Sequence, residues 1–145
     1  MIENLVEKGY LIKIVSSIKK AENSIKHAEN SLKRAKEQFD AVIYDGAFIS
    51  AYTAMFHCTR ALLFKDGYKE RNHYVLYEYL KEIYSDKIDK RYINELNNFR
   101  TIRHKIIYGE EDDEKLSIRE VEEAEAESAI KVADGFLEVI RKLIK

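Results

Sequence analysis

The sequence of 145 residues contains no proline and only five glycines. At average usage, a chain of this length would hold about seven prolines and about ten glycines. Turn-rich folds such as β-sandwiches, barrels and propellers depend on these residues, and a dinucleotide-binding fold needs a glycine-rich phosphate loop. The composition therefore disfavours all of these classes and predicts an all-α protein.

The length and the charge content predict a single domain over residues 1–145. Charged residues make up 35% of the chain and hydrophobic residues 46%, a mixture that suits packed amphipathic helices. The single cysteine, Cys58, excludes an internal disulfide and a multi-cysteine zinc site. No apolar run reaches the roughly 18 residues of a membrane span, and the N-terminus lacks the apolar stretch of a signal peptide. We therefore expect a cytoplasmic protein that does not engage a membrane.

The N-terminal third has the most regular pattern, an apolar residue at every third or fourth position. The residues that follow this spacing are Leu11, Ile14, Ile18, Ala21, Ile25, Ala28, Leu32, Ala35 and Phe39. The spacing is that of one face of a helix, so the pattern predicts a long N-terminal helix of about 29 residues. Such a stripe needs a second helix to cover it, from the same chain or from another subunit.

Four further helices are predicted from caps and apolar periodicity. They run from Asp45 as N-cap to Gly67, from Asn72 or His73 to Tyr84, from Asp89 to Tyr108 before Gly109, and from a capping box at Ser117 and Glu120 through Leu143. The second helix is apolar almost all round, which predicts a central position. Together, the five helices predict an antiparallel up-and-down bundle with a long N-terminal helix.

Basic residues and a phenol are concentrated in the last two turns of the fourth predicted helix. They are Arg100, Arg103, His104, Lys105 and Tyr108. Arg100, His104 and Tyr108 share one helix face, whereas Arg103 turns partly inward, where it needs a carboxylate or a phosphate as partner. In a purely structural role, the cations would complement the helix dipole and Arg103 would pair with a buried acid. In a functional role, the five residues would bind a nucleotide or RNA.

Catalytic and metal-binding motifs are otherwise scarce in this sequence. The four histidines are His27, His57, His73 and His104, and no two are three or four positions apart, as paired ligands on one helix would be. There is no phosphate-binding glycine loop and no metalloprotease or serine-hydrolase motif. We therefore expect no metal site and no cofactor.

Taken in order, several segments resemble the HEPN domain, a helical-bundle family named for its occurrence in higher eukaryotes and prokaryotes and for nucleotide binding. The matching stretches are residues 51–57 (AYTAMFH), residues 61–64 (ALLF), Gly67, His73, and residues 103–108 (RHKIIY) before Gly109. The resemblance extends from about residue 20 to about residue 140. It implies a helical bundle, commonly a homodimer. The resemblance also implies a partner, because members of the family are often encoded beside a small nucleotidyltransferase-like protein as a toxin–antitoxin pair.

Active members of the family are metal-independent ribonucleases, and their signature is an arginine followed, after four to six residues, by a histidine. Here four residues separate Arg103 from Tyr108, so a tyrosine stands where the signature has its histidine. Only three residues separate Arg100 from His104, one fewer than the signature requires. A phenol ionises near pH 10 and is a poor base at about pH 7, so this departure weakens the case for ribonuclease activity. The tyrosine does resemble an uncharacterised branch of the family in which this helix ends in arginine…tyrosine-glycine.

Three hypotheses follow from the residues and the resemblance. The first is a module with little or no catalytic activity that binds nucleotide or RNA, with Arg103 on a phosphate. The second is an active ribonuclease in which Arg103 acts with His104 or Tyr108. The third is a non-catalytic interaction or dimerisation module.

Overall fold

The computed structural model describes residues 2–109 and 119–145, whose secondary structure is six helices and two short strands. The elements are α1 (Ile2–Glu7), β1 (Leu11–Lys13), α2 (Ile18–Asp40), α3 (Tyr44–Asp66), β2 (Tyr68–Glu70), α4 (His73–Ile83), α5 (Lys90–Tyr108) and α6 (Glu123–Ile144). The prediction of an all-α bundle is therefore confirmed, with one short helix and one small strand pair in addition to the expected elements. Within the described residues, no helix is long and apolar enough to cross a membrane.

The prediction of one N-terminal helix beginning at Leu11 is wrong over its first turns. Residues 11–13 form β1, which pairs antiparallel with β2 and places Leu11 opposite Glu70. Helix α2 begins only at Ile18, because the Ser17 side chain accepts a hydrogen bond from the main-chain N–H of Lys20 and caps the helix there. The position of Leu11 matches the helical spacing of the stripe only by coincidence. Its main chain pairs with a strand that lies far along the sequence.

Helix α3 has the predicted central position, since it packs against α2, α4, α5 and α6. It runs antiparallel to α2. The hydroxyl of Ser24 donates to the main-chain oxygen of His57 at 2.8 Å, and near the other end the hydroxyl of Ser50 donates to Gln38 Oε1 at 2.6 Å. The alanines of the α2 stripe are fully buried, which lets the two helices approach closely.

Helix α6 packs against both α3 and α2, and it also runs antiparallel to α2. Arg141 pairs with Glu29 at 2.7 Å, and Lys36 lies 3.9 Å from Asp134 two turns further along α2. Because α3 and α6 are both antiparallel to α2, they run in the same direction as each other. Helices α4 and α5 lie between them in sequence and make the return connection.

The predicted helix ends are confirmed where a capping residue sets them. Asn72 caps α4, Asp89 caps α5, and Gly67 ends α3 in the left-handed conformation with φ of +91°. The predicted N-cap at Asp45 is wrong, because α3 begins at Tyr44 after an N-cap at residue 43 and Asp45 lies in its first turn.

The predicted start of the last helix is also wrong. Of the expected capping box, Ser117 lies outside the described residues and Glu120 precedes the helix. Helix α6 begins at Glu123 with Glu122 as its N-cap, and the guanidinium of Arg119 pairs with Glu125 in the first turn. Acidic residues in the first turn interact favourably with the positive end of the helix dipole, so they stabilise the start of α6 without the predicted capping box.

Candidate functional site

A groove of about 770 Å³ lies where the first turn of α4 faces α5. Its polar lining comes from both helices and from the segment before β1: Arg100, Arg103 and His104 of α5, Asn72, His73, Tyr74 and Glu78 in and before the first turns of α4, and Tyr10. The carboxylate of Glu78 accepts a hydrogen bond from the Tyr74 hydroxyl at 2.6 Å. We refer to it as the arginine groove. A volume of this size is typical of sites for small molecules, which run from about 300 to about 1,000 Å³.

The structure brings together three of the five residues that the sequence singled out. Arg100, Arg103 and His104 line the arginine groove. Lys105 and Tyr108 are exposed at the end of α5 and do not line the groove, although the Tyr108 ring lies 4.7 Å from that of His104. The predicted set therefore divides into a groove cluster and two residues beside it.

Arg103 is half-buried, and its guanidinium carbon lies 5.8 Å from the centre of the Tyr52 ring. Arg100 donates from Nε and from a terminal nitrogen to Asn97 Oδ1, at 3.2 and 3.1 Å, and lies over the Tyr74 ring. In the part of the chain that the structure describes, no carboxylate is within ion-pairing distance of either guanidinium. Both arginines are thus held by neutral groups, and the buried acid of the structural hypothesis is not found among these residues.

Beneath Arg103, the Tyr52 hydroxyl lies 2.7 Å from Nδ1 of His73, with the two rings stacked at 19°. Burial raises the pKa of Tyr52 above its usual range, despite the opposing charge of Arg103, so the phenol stays protonated and donates. Burial also lowers the pKa of His73, and the charges of Arg103 and Arg100 lower it further. The neutral His73 ring therefore accepts at Nδ1 and carries its proton on Nε2, where it is a hydrogen-bond donor.

Sequence reasoning did not nominate Tyr52 or His73 as site residues. Both stand in segments that resemble the family, but one is in the second predicted helix and the other opens the third. Their contact spans 21 positions and depends on how α4 folds back against α3. The periodicity of a single helix gives no signal for such a pair.

A second histidine with a lowered pKa lies on α3. His57 Nδ1 is a buried nitrogen with no hydrogen-bond partner among the described residues, and the ring of His27 lies 5.2 Å away. Burial, followed by the neighbouring His27 and Arg60, lowers the pKa of His57 to about 4. Lys20, His27 and Arg60 line a small cleft together with His57, so several of the groups that face this ring are basic.

We expect His57 to make folding stability depend on pH between about 6.5 and about 4. In this window the unfolded imidazole takes up a proton and the folded one does not, so the free energy of unfolding falls as the pH falls. The loss attributable to His57 should be about 1–2 kcal/mol, after allowing for solvent screening of a half-buried ring. Urea unfolding of the protein and of His57→Phe at pH 7 and pH 4.5 measures it. Equal losses in both proteins would show that His57 is not responsible.

The family comparison covers most of the chain. The model of the HEPN domain matches residues 21–143, a span that takes in α2 through α6 and includes α5 with the three groove residues identified from the sequence. No curated protein matches the chain in sequence. On the extent of the domain match, the chain belongs to the HEPN domain family.

Proposed function

We propose that this HEPN domain binds the phosphate group of a nucleotide or of RNA in the arginine groove. The observation that carries the proposal is the pair Arg100 and Arg103, which line one groove without a carboxylate partner among the described residues. A half-buried guanidinium is stabilised by an anion, and two oxygens of a phosphate can accept parallel hydrogen bonds from its planar fork of N–H groups.

Three other features of the groove suit the same ligand, and the one acidic residue of its described lining, Glu78, is bonded to the Tyr74 hydroxyl. The first turn of α4 lies in the lining, and the N–H groups at the start of an 11-residue helix carry partial positive charge. The Nε2–H of His73 adds a neutral donor. Tyr10 and Tyr74 are each 46% exposed, so their rings are available to pack against a base or a sugar.

A second candidate is metal-independent ribonuclease activity with Arg103 and His104. It is favoured by the position of His104, which lines the same groove as Arg103 and is exposed. An arginine would stabilise charge on the scissile phosphate while the imidazole moves protons near neutral pH. Tyr108 is a weaker choice for this role, because it lies outside the groove lining, and His73 is already engaged at Nδ1.

The wider setting of the proposal follows from the family resemblance. A homodimer and a small nucleotidyltransferase-like partner, in a toxin–antitoxin pair, would place the groove of this domain beside a second protein surface. A pure interaction module is the competing hypothesis, and it predicts that no nucleotide binds.

Binding of uridine 5′-monophosphate tests the proposal directly. We expect Arg103→Gln to weaken binding roughly 10- to 100-fold, the effect of losing charge-assisted hydrogen bonds to phosphate. Arg34→Gln on α2 is the matched control, because Arg34 is exposed and does not line the arginine groove. Isothermal titration calorimetry at low salt measures both.

The same proteins separate the two candidate activities. Incubation with RNA in EDTA should leave the RNA intact if the domain only binds. Cleavage that Arg103→Gln abolishes would establish the ribonuclease instead. If the unmodified protein binds no nucleotide, or if Arg34→Gln weakens binding as much as Arg103→Gln, the proposed function is wrong.

A further inference from the structure

A second basic cleft lies between α2 and α3, on the side of α3 that carries His57. It has a volume of about 170 Å³, and its lining includes Lys20, His27, His57 and Arg60. Sites for whole small molecules are larger, from about 300 Å³ upward, so this cleft has room for a single group and not for a complete ligand. We refer to it as the histidine cleft.

Basic groups dominate the chemistry of the histidine cleft. None of its described lining residues is acidic. Among the described residues, Arg60 has a carboxylate partner outside the lining. The Glu70 carboxylate, whose side chain is 6% exposed, accepts from Arg60 Nε at 3.1 Å. Lys20 and His27 are exposed and have no such partner in the described part of the chain, so their donors are available to a ligand. These groups, like those of the arginine groove, suit an anion.

A chain of aromatic rings connects the histidine cleft to the arginine groove. From His73 in the groove, the steps between ring centres are 4.4 Å to Phe56, 5.1 Å from Phe56 to His57, and 5.2 Å from His57 to His27. The guanidinium of Arg60 lies over Phe56 at 5.2 Å. The two basic sites are therefore adjacent, with the partly buried ring of Phe56 between them.

We propose that the histidine cleft is a second backbone subsite for a single-stranded nucleic acid whose first phosphate lies in the arginine groove. This inference rests on the proposed function and makes it specific, because it assigns an oligonucleotide and not a mononucleotide as the ligand. The three ring-to-ring steps of about 5 Å make a path of at most about 15 Å, which a single strand of a few nucleotides can span. Basic grooves that track a backbone past aromatic side chains are the usual means of binding single strands.

Affinity as a function of strand length tests the second subsite. We expect a tetranucleotide to bind at least roughly tenfold more tightly than uridine 5′-monophosphate, the effect of one added charge-assisted hydrogen bond, with little gain beyond that length. Oligouridylate and oligothymidylate of one, two, four and eight units are titrated at the same low salt. A length gain in either series supports the subsite, and the series with the larger gain identifies RNA or DNA as the source of the strand.

The double variant Lys20→Gln/His27→Asn should remove this gain, so that the ratio of tetranucleotide to mononucleotide affinity falls to about one. Lys33→Gln, which removes one positive charge from an exposed position on the same helix, should keep the ratio of the unmodified protein. A mononucleotide that binds as tightly as the tetranucleotide would overturn the second subsite and leave the proposed function intact. A length gain that survives the double variant, or that Lys33→Gln removes equally, would also overturn it. Binding that depends on Lys20 and His27 but not on Arg103 would overturn the proposed function instead.

Discussion

Replacing Asp66 with alanine is expected to lower the free energy of unfolding by about 3–5 kcal/mol, because two hydrogen bonds to a charged acceptor are lost. Asp66 Oδ2 accepts from the hydroxyls of Tyr79 and Tyr84, each at 2.7 Å. Burial, and then the bond to Asp66, raises the pKa of both phenols above the usual range, so both stay protonated and donate. Without the carboxylate, two buried hydroxyls at the junction of α3 and α4 would lack their acceptor.

The position of Asp66 makes this prediction specific. It is the last residue of α3, where the helix dipole disfavours a negative charge, and its ion pair with Lys65 is long, at 4.0 Å. Its contribution therefore comes chiefly from the two tyrosines. Asp66→Asn keeps one acceptor oxygen and should lose less stability than Asp66→Ala.

Asp134→Ala is the control for the aspartate prediction, since Asp134 is 54% exposed and its ion pair with Lys36 has a separation of 3.9 Å. A surface pair of this kind contributes at most about 1 kcal/mol. Urea unfolding at pH 7, followed by circular dichroism, compares the three variants. Similar losses for Asp66→Ala and Asp134→Ala would refute the role given to the two tyrosines.

Leu11→Ala should cost about 2–5 kcal/mol, the usual range for removing a buried leucine side chain. Leu11 is 1% exposed, and from β1 it packs into the same core cluster as α3 and α4. In contrast, Val15 lies between β1 and α2 and is 87% exposed. Val15→Ala should therefore change the free energy of unfolding by no more than about 0.5 kcal/mol.

This pair of variants also tests the correction at the N-terminus. Ile18, the third residue of the predicted stripe, is 49% exposed, so the stripe is not continuously buried as one helix would require. Thermal or urea unfolding of Leu11→Ala and Val15→Ala measures the difference. A small loss for Leu11→Ala would mean that β1 does not anchor the core as the structure has it.

The sequence predicted the helix boundaries best where a local signal fixes the first or the last turn. A side-chain cap at Asn72 or Asp89 and a glycine after the last turn at Gly67 or Gly109 act within a few residues, so they can be read without knowing the fold. The strand pair could not be predicted in this way. Leu11 and Glu70 are distant in sequence, and their pairing exists only once α2 and α3 have folded back on each other.

The candidate site likewise has a part that local sequence signals predicted and a part that depends on the tertiary structure. By itself, the sequence determined that the chain is helical and that the chain resembles the HEPN domain. It also determined that α5 carries Arg100, Arg103 and His104 close together. Helical periodicity and residue chemistry are sufficient for these conclusions because they are local. Only the tertiary structure decided that these residues face the first turn of α4, with the bonded pair Tyr52 and His73 beneath Arg103. Those contacts join three helices, and their geometry is set by core packing, which no single segment of the chain encodes.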